Sequence, residues 1–179
     1  AGCEAAWQLK NAGIETELYE MKPEEFSPAH KSENFAELVC SNSLKAERLN
    51  SAAGLLKAEM KALGSLCVEC AEKTRVPAGG ALAVDRDEFS AMITEKIKAE
   101  PLIKVITGEV TTIPDADAVI IAAGPLASDG LSAVIRGMCG DELSFFDAAA
   151  PIVSADSVDM EFAFTQSRYD RGGEDDYIN

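Results

Sequence analysis

The chain has 179 residues, of which 47% are hydrophobic, and 16 Lys and Arg stand against 31 Asp and Glu, giving a formal net charge of −15. A length of about 100–200 residues is typical of one domain, and this apolar share excludes a wholly disordered chain. The acidic balance excludes a broad basic footprint, so an RNA partner would need a local patch or protein outside this chain.

Membrane insertion and secretion are not indicated. The longest apolar stretch, Ala118–Ala127, is interrupted by Gly124 and Pro125 and falls short of the ~18 apolar residues that a membrane span needs. No secretory signal is visible. Five cysteines form an odd set without a disulfide framework, which favours a reducing cytoplasm.

The first elements follow from periodicity. A spacing near 3.6 residues predicts a helix from Ala1 that Gly13 ends. Alternation in Ile14–Glu20 predicts a strand. The polar segment Glu24–Ser43 contains the single histidine, His30, and a loop of this length is usually functional or disordered.

The next part of the chain is predicted to be helical from Ser51 to Lys73, with a break near Gly64. Six residues form its predicted buried stripe, namely Leu55, Leu56, Met60, Leu63, Leu66 and Cys70. A turn at 77–80 leads to a short apolar strand, Ala81–Val84.

Asp85 has the character of an N-cap, and the helix that it starts is predicted to end before Pro101. Two β-rich segments follow, Ile103–Thr107 and Glu109–Ile113. The continuous apolar run Ala118–Ala123 predicts a central parallel strand that is buried on both faces.

The remaining pattern predicts a helix over 129–137 and a strand over 143–147, followed by an acidic tail from residue 170. Strands and helices alternate along the chain. The predicted class is therefore α/β.

A glycine at the start of a helix and an acid at the next strand end are typical of half a dinucleotide-binding fold. Gly2 would be the last glycine of G-x-G-x-x-G, with the first strand and the other two glycines before residue 1, and Glu20 would bind a ribose hydroxyl. The alternative is an ordinary helix start and a solvated strand end.

Longer strings carry a more specific resemblance, namely FAELVCSNSLKA (35–46), RVPAGGALAVDRDEFSA (75–91), DAAAPIV (147–153) and SRYDRG (167–172), with AAWQL and LYEMKP near the start. In this order they resemble the FAD- and folate-dependent tRNA (uracil-5-)-methyltransferases, a family once grouped with the glucose-inhibited division proteins. The resemblance extends over the whole chain. Family members begin with an additional strand and continue past residue 179, so we expect an amino-terminal portion.

The resemblance implies an FAD/NAD(P)-binding, Rossmann-like three-layer α/β fold that lacks its first strand. Residues 1–150 would form this incomplete domain, and 151–179 the start of an inserted α+β domain. The implied enzyme takes a carbon from 5,10-methylenetetrahydrofolate and reduces it at FAD with electrons from NADH or NADPH. It then places a methyl group on the T-loop uridine of tRNA.

The resemblance also assigns candidate residues. Cys40, in the string CSNS, matches a cysteine used in methyl transfer, where a thiolate either adds to C6 of the uracil or holds a methylene adduct. Its alternative is a small buried side chain. The candidate cofactor-binding residues are Ala1, Gly2, Glu20, Lys22, Ser41, Asn42, Ser43, Gly79, Gly80, Arg86, Ala123 and Gly124. For the two glycine sites the alternatives are an ordinary turn at Gly79 and Gly80 and tight strand-to-helix packing at Gly124.

Other features are interpreted as structural. Cys67 and Cys70 lie on one helix face, and a single cysteine pair with one histidine does not complete a tetrahedral zinc site, so no metal is expected. Lys57 and Lys61, four residues apart, are interpreted as a solvated helix face, with RNA phosphate contact as the alternative.

Two alternative functions remain open. One is the sibling flavoprotein family that modifies the wobble uridine of tRNA, which CSNS and VPAGGALAVDR argue against. The other is a catalytically silent nucleotide-binding fragment.

Overall fold

The structure is a computed structural model that describes residues 1–140, 153–166 and 178. Its helices are α1 (Gly2–Asn11), α2 (Ala52–Ala62), α3 (Leu66–Lys73), α4 (Arg86–Lys98) and α5 (Asp129–Cys139), with 3-10 turns at Gly124–Leu126 and Ala155–Ser157. Its strands are β1 (Thr16–Glu20), β2 (Ser43–Ala46), β3 (Arg75–Val76), β4 (Ala81–Val84) and β5 (Ile103–Thr107). The chain divides into two compact units, Ala1–Val39 with Ser90–Ala149, and Cys40–Phe89 with Ala150–Asn179.

The first unit is built on a parallel strand pair. Strands β1 and β5 pair in register from Thr16 opposite Ile103 to Glu20 opposite Thr107, and α1 packs on both strands. Parallel neighbours need a long crossover connection, which the chain between residues 20 and 103 supplies. The buried apolar side chains of this unit include Ala6, Phe35, Ile93, Ile97 and Ile103.

The second unit is built on a three-stranded antiparallel sheet in the order β2-β4-β3. β4 is central because its residues are apolar on both faces, and Leu82, Ala83 and Val84 are all buried. Helix α3 packs on β4, and α2 packs on α3 and β2. Further buried residues of this unit are Leu66, Val68, Cys70, Ala71 and Ala78.

The predicted break in the long helix is confirmed. Gly64 has φ +72°, a left-handed conformation that glycine adopts without steric cost. The side chains of Ser51 and Ser65 then cap α2 and α3 by accepting the N–H groups of Gly54 and Val68.

The predicted buried stripe is partly wrong. Leu66 and Cys70 are fully buried. In contrast, the exposed fractions of Leu55, Leu56 and Leu63 are 50%, 56% and 74%. The reason is the close packing of Gly54 against the backbone at Arg48, which makes the small-residue face of α2 the inner one. Its leucines therefore lie on the outer face.

Two predicted strands are not formed. Within the described residues, neither Glu109–Ile113 nor Ala118–Ala123 pairs with a neighbouring strand. The prediction of burial on both faces was wrong for Ala118–Ala123, since Val119, Ile120 and Ile121 are 44%, 61% and 42% exposed. An extended run becomes a sheet strand only when its backbone N–H and C=O groups find a partner.

The other local predictions are confirmed. Helices α1, α4 and α5 and strands β1, β4 and β5 lie where the pattern placed them, within one to two residues at most ends. The Asp85 carboxylate accepts the N–H groups of Asp87 and Glu88 at 3.0 and 2.9 Å, as an N-cap does. The predicted strand over 143–147 and most of the acidic tail lie outside the described residues.

The chain is thus α/β, with helices on a parallel strand pair and a separate antiparallel sheet. The three-layer arrangement, the inserted domain and the division near residue 150 stay predictions. None of the described helices is both long and apolar enough to cross a membrane.

Candidate functional site

The amino end of α1 packs on the middle of β1 and on the segment that leads to Gly124 in the first unit. A Cβ built on Gly2 would be 3.7 Å from Leu18 Cδ1 and 3.7 Å from Ala122 Cβ, which is ordinary contact. The segment that carries Ala123 and Gly124 therefore passes the start of α1, whose N-cap is Ala1. The unpaired N–H groups of a helix N-terminus favour anions such as phosphate.

Glu20 ends β1 and is held by the residue that follows β5 and by the turn that follows β1. The Gly108 N–H donates to the Glu20 carbonyl at 2.9 Å, and the Lys22 N–H donates to Glu20 Oε1 at 3.1 Å. Burial raises the pKa of the Cys3 thiol, and the Glu20 carboxylate acts in the same direction while Lys22 opposes it. Glu20 is therefore within electrostatic reach of the first turn of α1.

The Lys22 side chain is directed into the long loop and is 4% exposed. Its ammonium donates to the Asn34 carbonyl and lies 3.8 Å from Glu37 Oε2. The Glu37 carboxylate in turn accepts the backbone N–H groups of Lys31 and Ser32. Lys22 thus holds the loop, and its predicted contact with a cofactor stays a prediction.

A groove of about 340 Å³ opens beside the carboxyl ends of β1 and β5. It is lined by Tyr19, Ile106, Thr107, Gly108, Glu109, Val110, Thr111, Thr112 and Pro114. In open α/β sheets ligands bind outside the carboxyl ends of parallel strands. Sequence reasoning missed this groove because it assigned 109–113 to a strand; Gly108 directly after a strand was the available signal.

Cys40 lies in the second unit, just before β2, as a half-buried thiol outside any disulfide. The following residues form local hydrogen bonds. The Ser43 N–H donates to Ser41 Oγ at 3.0 Å, and the Lys45 N–H donates to Ser43 Oγ at 3.2 Å. Asn42 Nδ2 donates to the Val84 carbonyl at 3.1 Å. The segment after Cys40 is therefore held both by its own serine hydroxyls and by the bond from Asn42 to β4.

The glycine turn before β4 belongs to the same unit. Gly79 has φ +58°, and the Ala81 N–H donates to the Ala78 carbonyl to close the turn. The Gly80 carbonyl accepts the Glu47 N–H at 3.1 Å, and a Cβ on Gly80 would meet nothing within 4 Å. Arg86 is the first residue of α4 and is half-buried.

The candidate residues thus fall into two groups, one in each unit. Ala1, Gly2, Glu20, Lys22, Ala123 and Gly124 belong to the first, and Cys40, Ser41, Asn42, Ser43, Gly79, Gly80 and Arg86 to the second. Across the described ranges, no cluster of three or more His, Cys, Asp or Glu side chains is arranged to hold a metal ion.

A parallel strand pair with a helix N-terminus and an acid at its carboxyl edge is the arrangement of a nucleotide-binding α/β protein. The family model described as glucose inhibited division protein A matches residues 1–179. The chain therefore belongs to the glucose inhibited division protein A family.

Curated relatives give more detail. Proteins from Geotalea uraniireducens, Pelobacter propionicus and Geobacter sulfurreducens are 59%, 57% and 53% identical over 179 residues. Each is named methylenetetrahydrofolate–tRNA-(uracil-5-)-methyltransferase TrmFO. The alignments cover 100% of this chain but only 41%, 39% and 41% of the relatives. The chain thus spans about two fifths of the length of these proteins.

Proposed function

We propose that the full-length protein is a folate-dependent tRNA (uracil-5-)-methyltransferase that uses FAD and acts in the cytoplasm. The observation that carries the proposal is the identity of 53–59% across the whole chain to relatives of that name. The finer parts of the proposal are methylenetetrahydrofolate as the carbon donor, NADH or NADPH as the reductant and the T-loop uridine as the target.

Two features of the first unit support an FAD site in the full-length protein. The N-terminus of α1 at Gly2 would bind the pyrophosphate, and the Glu20 carboxylate would accept ribose hydroxyls. The groove along 106–114 lies at the same edge of the strand pair. A bound flavin supplies hydride for reduction of the transferred carbon.

The Cys40 thiolate, which belongs to the second unit, would be the nucleophile in methyl transfer. A uracil C5 is a weak nucleophile until a thiolate adds to C6, and the same thiolate alternatively holds the one-carbon unit before transfer. Both roles need an accessible sulfur. The half-buried position of Cys40, beside Ser41 and Ser43, leaves part of its surface open to solvent while neighbouring polar groups lie within the same turn.

The test is Cys40→Ala in the full-length protein. Methyl transfer is expected to be abolished with flavin content and folding near wild type, because alanine removes the sulfur and costs only about 1 kcal/mol of packing. The measurement pairs FAD absorbance with incorporation of label from methylenetetrahydrofolate into tRNA.

The matched control is Cys67→Ala, a half-buried cysteine of the same unit, which should keep activity. Wild-type turnover by Cys40→Ala would exclude its catalytic role. Mapping the labelled nucleoside also separates the two tRNA functions, because label at the wobble uridine would support the sibling family instead.

A further inference from the structure

The chain after Cys40 enters β2 through an irregular pairing. Ser43 pairs with Ala83 and Ala46 with Ala81, so two residues of β2 stand opposite one residue of β4. This is a β-bulge, and bulges recur next to active sites, where they redirect a side chain. Lys45, inside the bulge, has φ +66°, a conformation that a non-glycine residue adopts only when its surroundings hold it there.

The bulge is held from the side of α2 by a lysine. Lys57 Nζ donates to the Leu44 carbonyl at 2.7 Å and to the Ala53 carbonyl at 2.9 Å. Leu44 is a bulge residue, and Ala53 lies in the first turn of α2. The ammonium therefore ties the bulge to the helix, and burial lowers the pKa of Lys57 while the Glu47 carboxylate opposes that effect.

The other end of the segment is held by an asparagine. Asn42 Nδ2 donates to the Val84 carbonyl at 3.1 Å, and the Val84 N–H donates to the Asn42 carbonyl at 3.0 Å. Val84 is fully buried at the end of β4. This reciprocal pair fixes the backbone two residues after Cys40 to the least exposed strand of the unit.

We propose that Lys57 and Asn42 are positioning residues for the Cys40 thiol, since together they fix the segment 42–45 that directly follows it in the chain. The proposal rests on the proposed function insofar as Cys40 takes part in methyl transfer. Neither side chain is required to touch substrate. Catalysis depends on placing reacting atoms within a fraction of an ångström, so loosening a supporting segment lowers turnover more than binding.

The first test is Lys57→Met in the full-length flavoprotein, which keeps the length of the side chain and removes the donor. The matched control is Lys61→Met, one helical turn further along α2, whose ammonium pairs with the exposed Glu72 at 2.6 Å. The second test is Asn42→Asp, which removes the amide donor, with the exposed Asn50→Asp as its control. Lys57→Arg keeps donors at this position and should restore part of the wild-type behaviour.

Two readouts are needed. The first is the rate at which iodoacetamide alkylates Cys40, mapped by peptide mass against the fully buried Cys70. Lys57→Met and Asn42→Asp should raise the Cys40 rate about three- to tenfold and leave Cys70 protected, because only the local segment opens. The second is methyl transfer, for which kcat should fall about 10- to 100-fold with KM for tRNA nearly unchanged.

Several results would overturn the proposal. One is a wild-type rate of Cys40 alkylation in both variants, and another is an equal rise in the alkylation of Cys70. The proposal would also fail if Lys61→Met lowered kcat as much as Lys57→Met, or if Cys40 alkylation rose while kcat stayed at the wild-type value. If the wild-type protein shows no methyl transfer, the proposed function fails. The alkylation comparison still decides whether Lys57 and Asn42 hold Cys40.

Discussion

Glu20 is the single residue on which the proposed nucleotide site depends most. Its carbonyl accepts a hydrogen bond from the Gly108 N–H, and its Oε1 accepts one from the Lys22 N–H. Both the backbone and the carboxylate of Glu20 are therefore fixed at the strand end. A preordered carboxylate binds a ribose hydroxyl without a further entropic cost for ordering. The Glu20 side chain is therefore expected to contribute to the free energy of FAD binding.

Glu20→Ala in the full-length protein should weaken FAD binding by about 1–3 kcal/mol, the range for a lost charge-assisted hydrogen bond. The fold should persist, because Glu20 lies at a strand end and outside the core. Titration of the apoprotein with FAD, followed by flavin fluorescence, measures the change. Glu17→Ala on the same strand is the control, since Glu17 bonds only Tyr19 and Lys104 among its described partners. An unchanged affinity for Glu20→Ala would mean that the ribose is bound elsewhere.

At the scale of elements, the start of α2 packs closely on the loop that precedes it. A Cβ on Gly54 would overlap the carbonyl group of Arg48 and approach Glu47 C at 2.6 Å. These are backbone atoms, which cannot rotate away as the end of a side chain can. The position of α2, and with it the Lys57 donor, therefore depends on this glycine.

Gly54→Ala should destabilise the protein by about 1–3 kcal/mol or more, the range for overpacking a close contact. Gly137→Ala is a control for which the expected change in stability has the opposite sign. Gly137 lies inside α5, and its added Cβ would meet nothing within 4 Å. Replacing a helical glycine with alanine should stabilise by up to about 1 kcal/mol. The midpoints of urea unfolding give both values, and equal shifts of one sign would contradict the packing argument.

Local signals explain which elements the sequence predicted correctly. The cap at Asp85, the break at Gly64 and the alternation before Glu20 are each specified by neighbouring residues, so α4, the α2–α3 break and β1 were predictable. β2 is short, and its partner lies about 40 residues away on β4, a pairing that no local pattern encodes. β3 has only two residues, too few for the alternation that identifies a strand.

The candidate site residues also differ in whether local sequence predicts them. Glu20 was proposed from its place at a strand end, and Cys40 from the resemblance of its surrounding string. The bond from Lys57 to the Leu44 carbonyl was not predictable, since helical spacing shows only which residues share a face and not which backbone group that face meets. Exposure of Leu63 was missed for the same reason.

For the molecule as a whole, the parallel sheet of the described residues contains only β1 and β5. A dinucleotide fold binds its ligand across a sheet of several parallel strands, with the pyrophosphate at a glycine-rich turn. A polypeptide of residues 1–179 should therefore bind FAD weakly or not at all. Purification of this polypeptide beside the full-length protein, with flavin measured by absorbance, gives the comparison. A yellow product with near-stoichiometric flavin would contradict the prediction.

The exposed run Ala118–Ala123 has a consequence for colloidal behaviour. Six uncharged residues, three of them β-branched, lie outside any strand pairing of the described residues and can template the same run of another molecule. The polypeptide of residues 1–179 should scatter light increasingly with concentration, and Ile120→Lys should suppress the effect by placing a charge in each added strand. Leu63→Lys removes an apolar side chain that is even more exposed, but it lies just after a helix, whose backbone offers no strand edge. Equal suppression by both variants would assign the association to general hydrophobicity rather than to strand addition.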